Sequence, residues 1–145
     1  LFSIFNRDKV ALSIISEAEI NLDEKLEEIK SSLKWLEENK NKLEDVLLAN
    51  GVIELAEKWV TSGVPVTDEE QECYMVEDNE KVYLPITKET FIKSLYPESI
   101  NIIFDEEKIN IEIYFYCYPD YFAGHSIMLE IDSEKNIYCP DLTEE

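Results

Sequence analysis

Residues 109–118 read Ile109-Asn110-Ile111-Glu112-Ile113-Tyr114-Phe115-Tyr116-Cys117-Tyr118, and their chemistry repeats every second position. Ile109, Ile111, Ile113, Phe115 and Cys117 share one side; Asn110, Glu112, Tyr114, Tyr116 and Tyr118 share the other. Successive side chains of a strand point to opposite faces, so this period predicts a β-strand with its apolar set in the core. On the N-terminal side, Ile100, Ile102 and Phe104 alternate in the same way, and Asp105-Glu106-Glu107-Lys108 makes a four-residue hairpin loop. On the C-terminal side, Ile127, Leu129 and Ile131 resume the alternation after Pro119 to His125, and Ser133 to Asn136 turns the chain into Ile137-Tyr138-Cys139. Short loops between consecutive strands predict an antiparallel meander.

Two more short strands, Cys73 to Val76 and Lys81 to Leu84, flank Glu77-Asp78-Asn79-Glu80. The meander is therefore expected over about residues 73–139. One short helix interrupts it, capped by Thr87, carrying Phe91, Ile92 and Leu95, and stopped by Pro97.

The first half has a different period. Asn21 is a good N-cap, with Glu24 three residues on. Leu22, Leu26, Ile29, Leu33 and Leu36 recur at three and four, with Trp35 beside them, which is the stripe of an amphipathic helix. Asn39 to Asn41 interrupts the pattern; Leu43, Val46 and Leu47 resume it until Asn50-Gly51. Val52, Leu55, Ala56 and Trp59 form a third stretch, ended by Gly63 and Pro65, and residues 66–72 read as a solvated acidic loop. Ahead of the helices, the run Leu1 to Phe5, the turn-like Asn6 to Lys9 and the alternating Val10, Leu12 and Ile14 predict a hairpin. The expected fold is α+β in one domain over residues 1–145: an N-terminal hairpin, two to three helices over about 21–62, then the meander, with helices on one face of the sheet.

The chain has 33 Asp and Glu against 13 Lys and Arg, a net charge of −20, and acids outnumber bases in both halves. Such a surface repels nucleic acid and anionic membrane and attracts basic partners. No run approaches the roughly eighteen apolar residues of a membrane span, and residues 1–15 lack an export signal. The 3 cysteines at irregular spacing are not a disulfide framework, so a reducing cytoplasm is the expected setting. With 3 glycines in all, neither a phosphate loop nor a dinucleotide-binding turn can be built, and no cofactor is expected.

Three constellations carry chemistry. Cys73, Cys117, His125 and Cys139 are zinc-ligand types, but none stands in a close pair and Cys117 falls on the core side of its strand, so buried thiols are expected rather than metal. His125 is the single histidine; as catalytic candidates, it would be a general base and Asp120 would orient it. Ser126 adjoins His125, and neighbours on a strand face opposite ways, so the two make a poor dyad. The plainer reading gives Gly124 and His125 a structural role, fixing the loop through special backbone geometry. Tyr114, Tyr116, Tyr118, Tyr121 and Phe122 form an aromatic stripe that would be a binding surface if exposed.

Phe122-Ala123-Gly124-His125-Ser126-Ile127, placed after a long strand and the Tyr118-Pro119-Asp120 turn, resembles a bacterial family of unknown function. Its members carry an aromatic-aromatic-Gly-His-Ser-Ile segment there, where this chain departs with Ala123. The helix from Thr87 to Leu95, the strand from Ile100 to Phe104 and Trp59 also resemble that family's order of elements. The resemblance implies an α+β fold and a bacterial cytosolic protein, and it implies no reaction. The sequence reads first as a non-enzymatic acidic module that binds a basic protein, an immunity or antitoxin-like protein being one form. Its alternatives are a small-ligand binder or enzyme using the Asp120–His125 loop, and a structural module of a larger assembly.

Overall fold

Residues that alternate in the sequence lie in strands, and those that recur at three and four lie in helices. The computed structural model describes residues 2–5, 7–17, 19–67, 69–76, 80–106 and 108–140. In chain order the elements are β1 (Phe2–Ile4), β2 (Arg7–Ser16), α1 (Leu22–Glu38), α2 (Lys40–Ala49), α3 (Val52–Val60), β3 (Val64–Pro65), β4 (Cys73–Val76), β5 (Glu80–Tyr83), α4 (Lys88–Ser94), β6 (Leu95–Asp105), β7 (Lys108–Cys117), β8 (Ile127–Ile131) and β9 (Ile137–Tyr138). The fold is α+β, as the change of period predicts.

The main sheet has the order β1-β2-β6-β7-β8-β9. From β6 onward it is the expected antiparallel meander. The N-terminal hairpin joins this sheet through a parallel pairing, in which Ala11 to Ser16 run beside Ser99 to Phe104. The helices form the crossover that a parallel pair requires.

The capping signals act where the sequence places them. The Asn21 Oδ1 accepts from the Asp23 N–H at 2.9 Å and opens α1. Asn39 closes α1 through its side chain, whose Nδ2 donates to the Trp35 carbonyl at 2.8 Å. Gly51, at φ +75°, makes the turn from α2 into α3, a left-handed conformation that a side chain would strain. Thr87 opens α4, its Oγ1 accepting from the Thr90 N–H at 3.1 Å.

Several expectations need correction. Arg7 and Lys9 belong to β2 rather than to a turn, and Asn6 lies outside the described residues. A register shift in the β1–β2 pair accommodates this, with Lys9 at positive φ. The strands at 73–83 do not extend the meander: β4 and β5 pair with β3 in a separate three-stranded sheet. Residues 77–79 of the expected turn between them, and Glu107 of the loop after β6, lie outside the described residues. Pro97 does not stop α4, which ends at Ser94; it lies within β6, where the register against β7 shifts between Pro97 and Ser99. Proline is tolerated there because the parallel pairing with β2 begins only at Ser99, so its missing N–H interrupts no bond on that side.

The core is one cluster of buried side chains. Ile100, Ile102, Ile111, Ile113, Ile127, Leu129 and Ile131 from the sheet meet Leu36, Leu43, Leu47, Val52, Ala56 and Phe91 from the helices. The stripe on α1 is buried only in part: Ile29 and Leu36 are in the core, whereas Leu22 and Leu26 are exposed. No helix among the described residues is long and apolar enough to cross a membrane.

One-sided burial makes a mutational prediction. Ile102→Ala, on the covered face, should cost about 2–5 kcal/mol in urea unfolding. Ile15→Ala, on the other face and half in solvent, should stay within about 0.5 kcal/mol. Equal losses at the two positions would contradict the assignment of faces.

Candidate functional site

The outward residues of the main sheet form a continuous rank. Cross-strand pairing sets Ser13 beside Asn101, Asn101 beside Glu112, Glu112 beside Glu130, and Glu130 beside Tyr138. The next rank runs Ala11, Ser99, Tyr114 and Met128. Tyr96 stacks on Tyr116 beyond it, with ring centroids 5.3 Å apart. Ala11, Ser13, Ile15, Tyr116, Glu130 and Tyr138 are exposed, while Asn101, Glu112, Tyr114 and Met128 are half-buried. This is the solvated side of a sheet whose other side carries the helices.

Glu112 and Glu130 stand directly opposite each other. Like charges in that relation are destabilising. Their neighbours offset part of the cost. Asn101 Nδ2 donates to Glu112 Oε1 at 3.0 Å, and the Tyr114 hydroxyl lies 3.5 Å from the same oxygen. Burial, and then the charge of Glu112, holds the Tyr114 phenol above its ordinary pKa, and Glu130 adds to the shift. Asp132 stands at the edge of the rank, its Oδ2 accepting from Tyr138 at 3.1 Å. Hydrogen bonds from Asn136 first of all hold the Asp132 carboxyl below its usual range. At the other edge Glu98 accepts from Ser126 Oγ at 2.7 Å.

The aromatic stripe divides. Tyr114, Tyr116 and Tyr118 lie on the open side, Tyr118 donating to Glu80 at 2.6 Å. Tyr121 and Phe122 do not share that surface; they are buried at 2% and 4% exposure. The turn after β7 reverses the chain, and Tyr121 stacks on Phe91 with centroids 6.1 Å apart. The Ser94 hydroxyl, which donates to the Phe91 carbonyl at 2.6 Å, lies beside both Tyr121 and Cys117. Burial is the main cause that pushes both groups up to about 12.

His125 is half-buried against Trp59, ring edge to ring face, with centroids 5.2 Å apart. Trp59 also meets Phe122, at 6.0 Å. The His125 N–H donates to the Phe122 carbonyl, and the Asp120 Oδ1 accepts from the Gly124 N–H at 2.9 Å. Ala123 and Gly124 both have positive φ, +51° and +87°. The Asp120–His125 loop is thus a hydrogen-bonded turn laid on a tryptophan. Cys73 and Cys117 are buried and Cys139 half-buried. Among the described residues no group of three or more His, Cys, Asp or Glu is placed to hold a metal.

A family model described as an uncharacterized protein conserved in bacteria (DUF2262) matches residues 3–142. The chain belongs to DUF2262. Neither curated proteins nor solved structures offer a significant match. Within this DUF2262 chain, the facing Glu112 and Glu130 are the feature that sequence reasoning missed. Strand parity already puts Glu112 outward, but the register that brings Glu130 opposite is set by the loop between β7 and β8.

Two predictions follow from these contacts. In a double-mutant cycle, Trp59→Leu and His125→Ala should show a coupling of about 0.5–1.5 kcal/mol, the worth of an aromatic contact beyond its buried area; additive losses would exclude it. The second concerns alkali. Cys117 and Tyr121 have folded pKa values raised from 9.0 and 10.0. Their contribution to stability is complete below those unfolded values and is lost as pH rises towards about 12. The unfolded chain releases protons there and the folded one does not, so stability should fall by up to about 1.4 kcal/mol per pH unit for each group. Urea midpoints across pH 8 to 11 check this, and Cys117→Ala should make the decline shallower.

Proposed function

We propose that the protein is a non-enzymatic acidic module whose open sheet face binds a basic protein. The facing pair of Glu112 and Glu130 carries this reading. A surface strand can place almost any polar residue opposite a glutamate, so a like-charged pair held beside tyrosines is a cost to the isolated fold. An arginine or lysine entering between the two carboxylates relieves it. Tyrosines add wide, rigid contact area of the kind enriched at interfaces. The net charge of −20 would draw a cationic partner in from a distance and orient it on approach. An immunity or antitoxin-like role, covering the cationic site of a basic toxin, is one form that this chemistry suits.

The His125 loop supports catalysis less well. Asp120 is engaged by the turn itself, and His125 packs on Trp59.

The test combines stability with capture. Glu130→Gln should stabilise the isolated protein by about 0.2–1 kcal/mol, because it removes the like-charge opposition. The same change should reduce capture of a basic protein from lysate of the source cell. Glu112→Lys combined with Glu130→Lys should abolish that capture. The complex should weaken as salt shortens the Debye length from about 10 Å at 0.1 M to about 3 Å at 1 M. Capture that is equal with wild-type and doubly reversed bait, or recovery of nucleic acid in place of protein, would overturn the proposal.

A further inference from the structure

On the helical side of the sheet a cavity of ≈ 170 Å³ opens between α2 and α4. Leu43 and Leu47 of α2, Ile92 of α4, and Phe5 and Phe115 from the sheet side supply its apolar wall. Phe5 and Phe115 stack with centroids 6.5 Å apart. The cavity lies where α4 ends at Ser94 and β6 starts at the next residue, and where the register of β6 against β7 shifts between Pro97 and Ser99.

Leu95 and Pro97 extend the apolar wall, and the other lining residues are charged. Lys40, Glu44 and Lys93 also line the cavity. Lys40 is paired with Glu44 at 2.9 Å. Lys93 is exposed and makes no ion pair among the described residues. With Lys40 neutralised by Glu44, Lys93 leaves the lining net positive, in a chain with 13 bases against 33 acids.

We infer that this cavity binds a small monocarboxylate with an apolar body, its tail among Leu43, Leu47, Ile92 and Phe115 and its carboxylate at Lys93. The size suits it, since a cavity of about 150 Å³ with similar lining holds a six-carbon ring. An apolar pocket with a few charged groups to fix orientation is the usual construction of a small-ligand site. A cation is disfavoured, because it would meet Lys93 directly. The site lies on the side of the sheet away from Glu112 and Glu130 and does not depend on their function.

Titration of the whole protein with octanoate, and with 1-octanol as its neutral counterpart, tests the inference by NMR and calorimetry. Octanoate should bind saturably at one site, in about the millimolar range or tighter, as burial of about six carbons allows. Shift changes should centre on Phe5, Leu43 and Ile92. Ile92→Trp, which fills the cavity from a half-buried position, should weaken binding at least about tenfold. Lys93→Gln, a surface change that the fold tolerates, should weaken octanoate about two- to fivefold and leave octanol unchanged. Three results would each overturn the inference. One is no saturable binding up to about 10 mM, well above the range that six buried carbons allow. Another is equal loss of octanoate and octanol, or no loss of either, in Lys93→Gln. The third is shift changes centred away from the cavity.

Discussion

Alternate residues of β6, β7 and β8 pack against the helices, and the rest of the molecule is arranged around that one-sided contact. A side-chain period of two leaves no freedom: once Ile111, Ile113 and Phe115 are inside, Glu112, Tyr114 and Tyr116 are outside. Burying each such isoleucine is worth about 1.5–3 kcal/mol, so a slip of one residue would reverse the largest favourable contribution in the fold. The open face is therefore held by the core beneath it. Its backbone is that of the central strands β6 and β7, each paired on both sides.

The same contact explains the cost that the open face can bear. Facing glutamates are worth a fraction of a kcal/mol against the fold. Dense packing directly underneath exceeds that many times over. The His125 loop is placed by a related device. Tyr121 and Phe122 anchor it in the core, Gly124 and Ala123 turn it, and Trp59 on α3 receives His125. Trp59 and the Phe122–His125 segment, separated by more than sixty positions, thus form one aromatic contact.

Much of the architecture was legible in the sequence because periods and caps are local. Asn21, Asn39, Gly51 and Thr87 act at the positions where the pattern breaks. What was not legible depends on contacts distant in sequence. The parallel pairing of β2 with β6 joins residues about ninety positions apart, and alternation alone does not say which strand is a neighbour. The separate sheet of β3, β4 and β5 was hidden for the same reason, since two-residue strands such as Val64–Pro65 carry no period. Tyr121 and Phe122 read as part of the outer stripe because the aromatic run continues past Pro119, but the strand has ended at Cys117 and its two faces no longer apply. The facing glutamates needed a register, which the loop between β7 and β8 sets.

Hydroxyl-radical footprinting of the native protein, read residue by residue, tests the one-sided sheet most directly. Tyr116 and Tyr118 are 43% and 54% exposed, and Tyr121 is 2% exposed. The account predicts strong modification of Tyr116 and Tyr118, an intermediate level at Tyr114 and Met128, and near-complete protection of Tyr121 and Phe122. Protection of Tyr116 equal to that of Tyr121 would mean that the second face of the sheet is also covered, and would contradict the account.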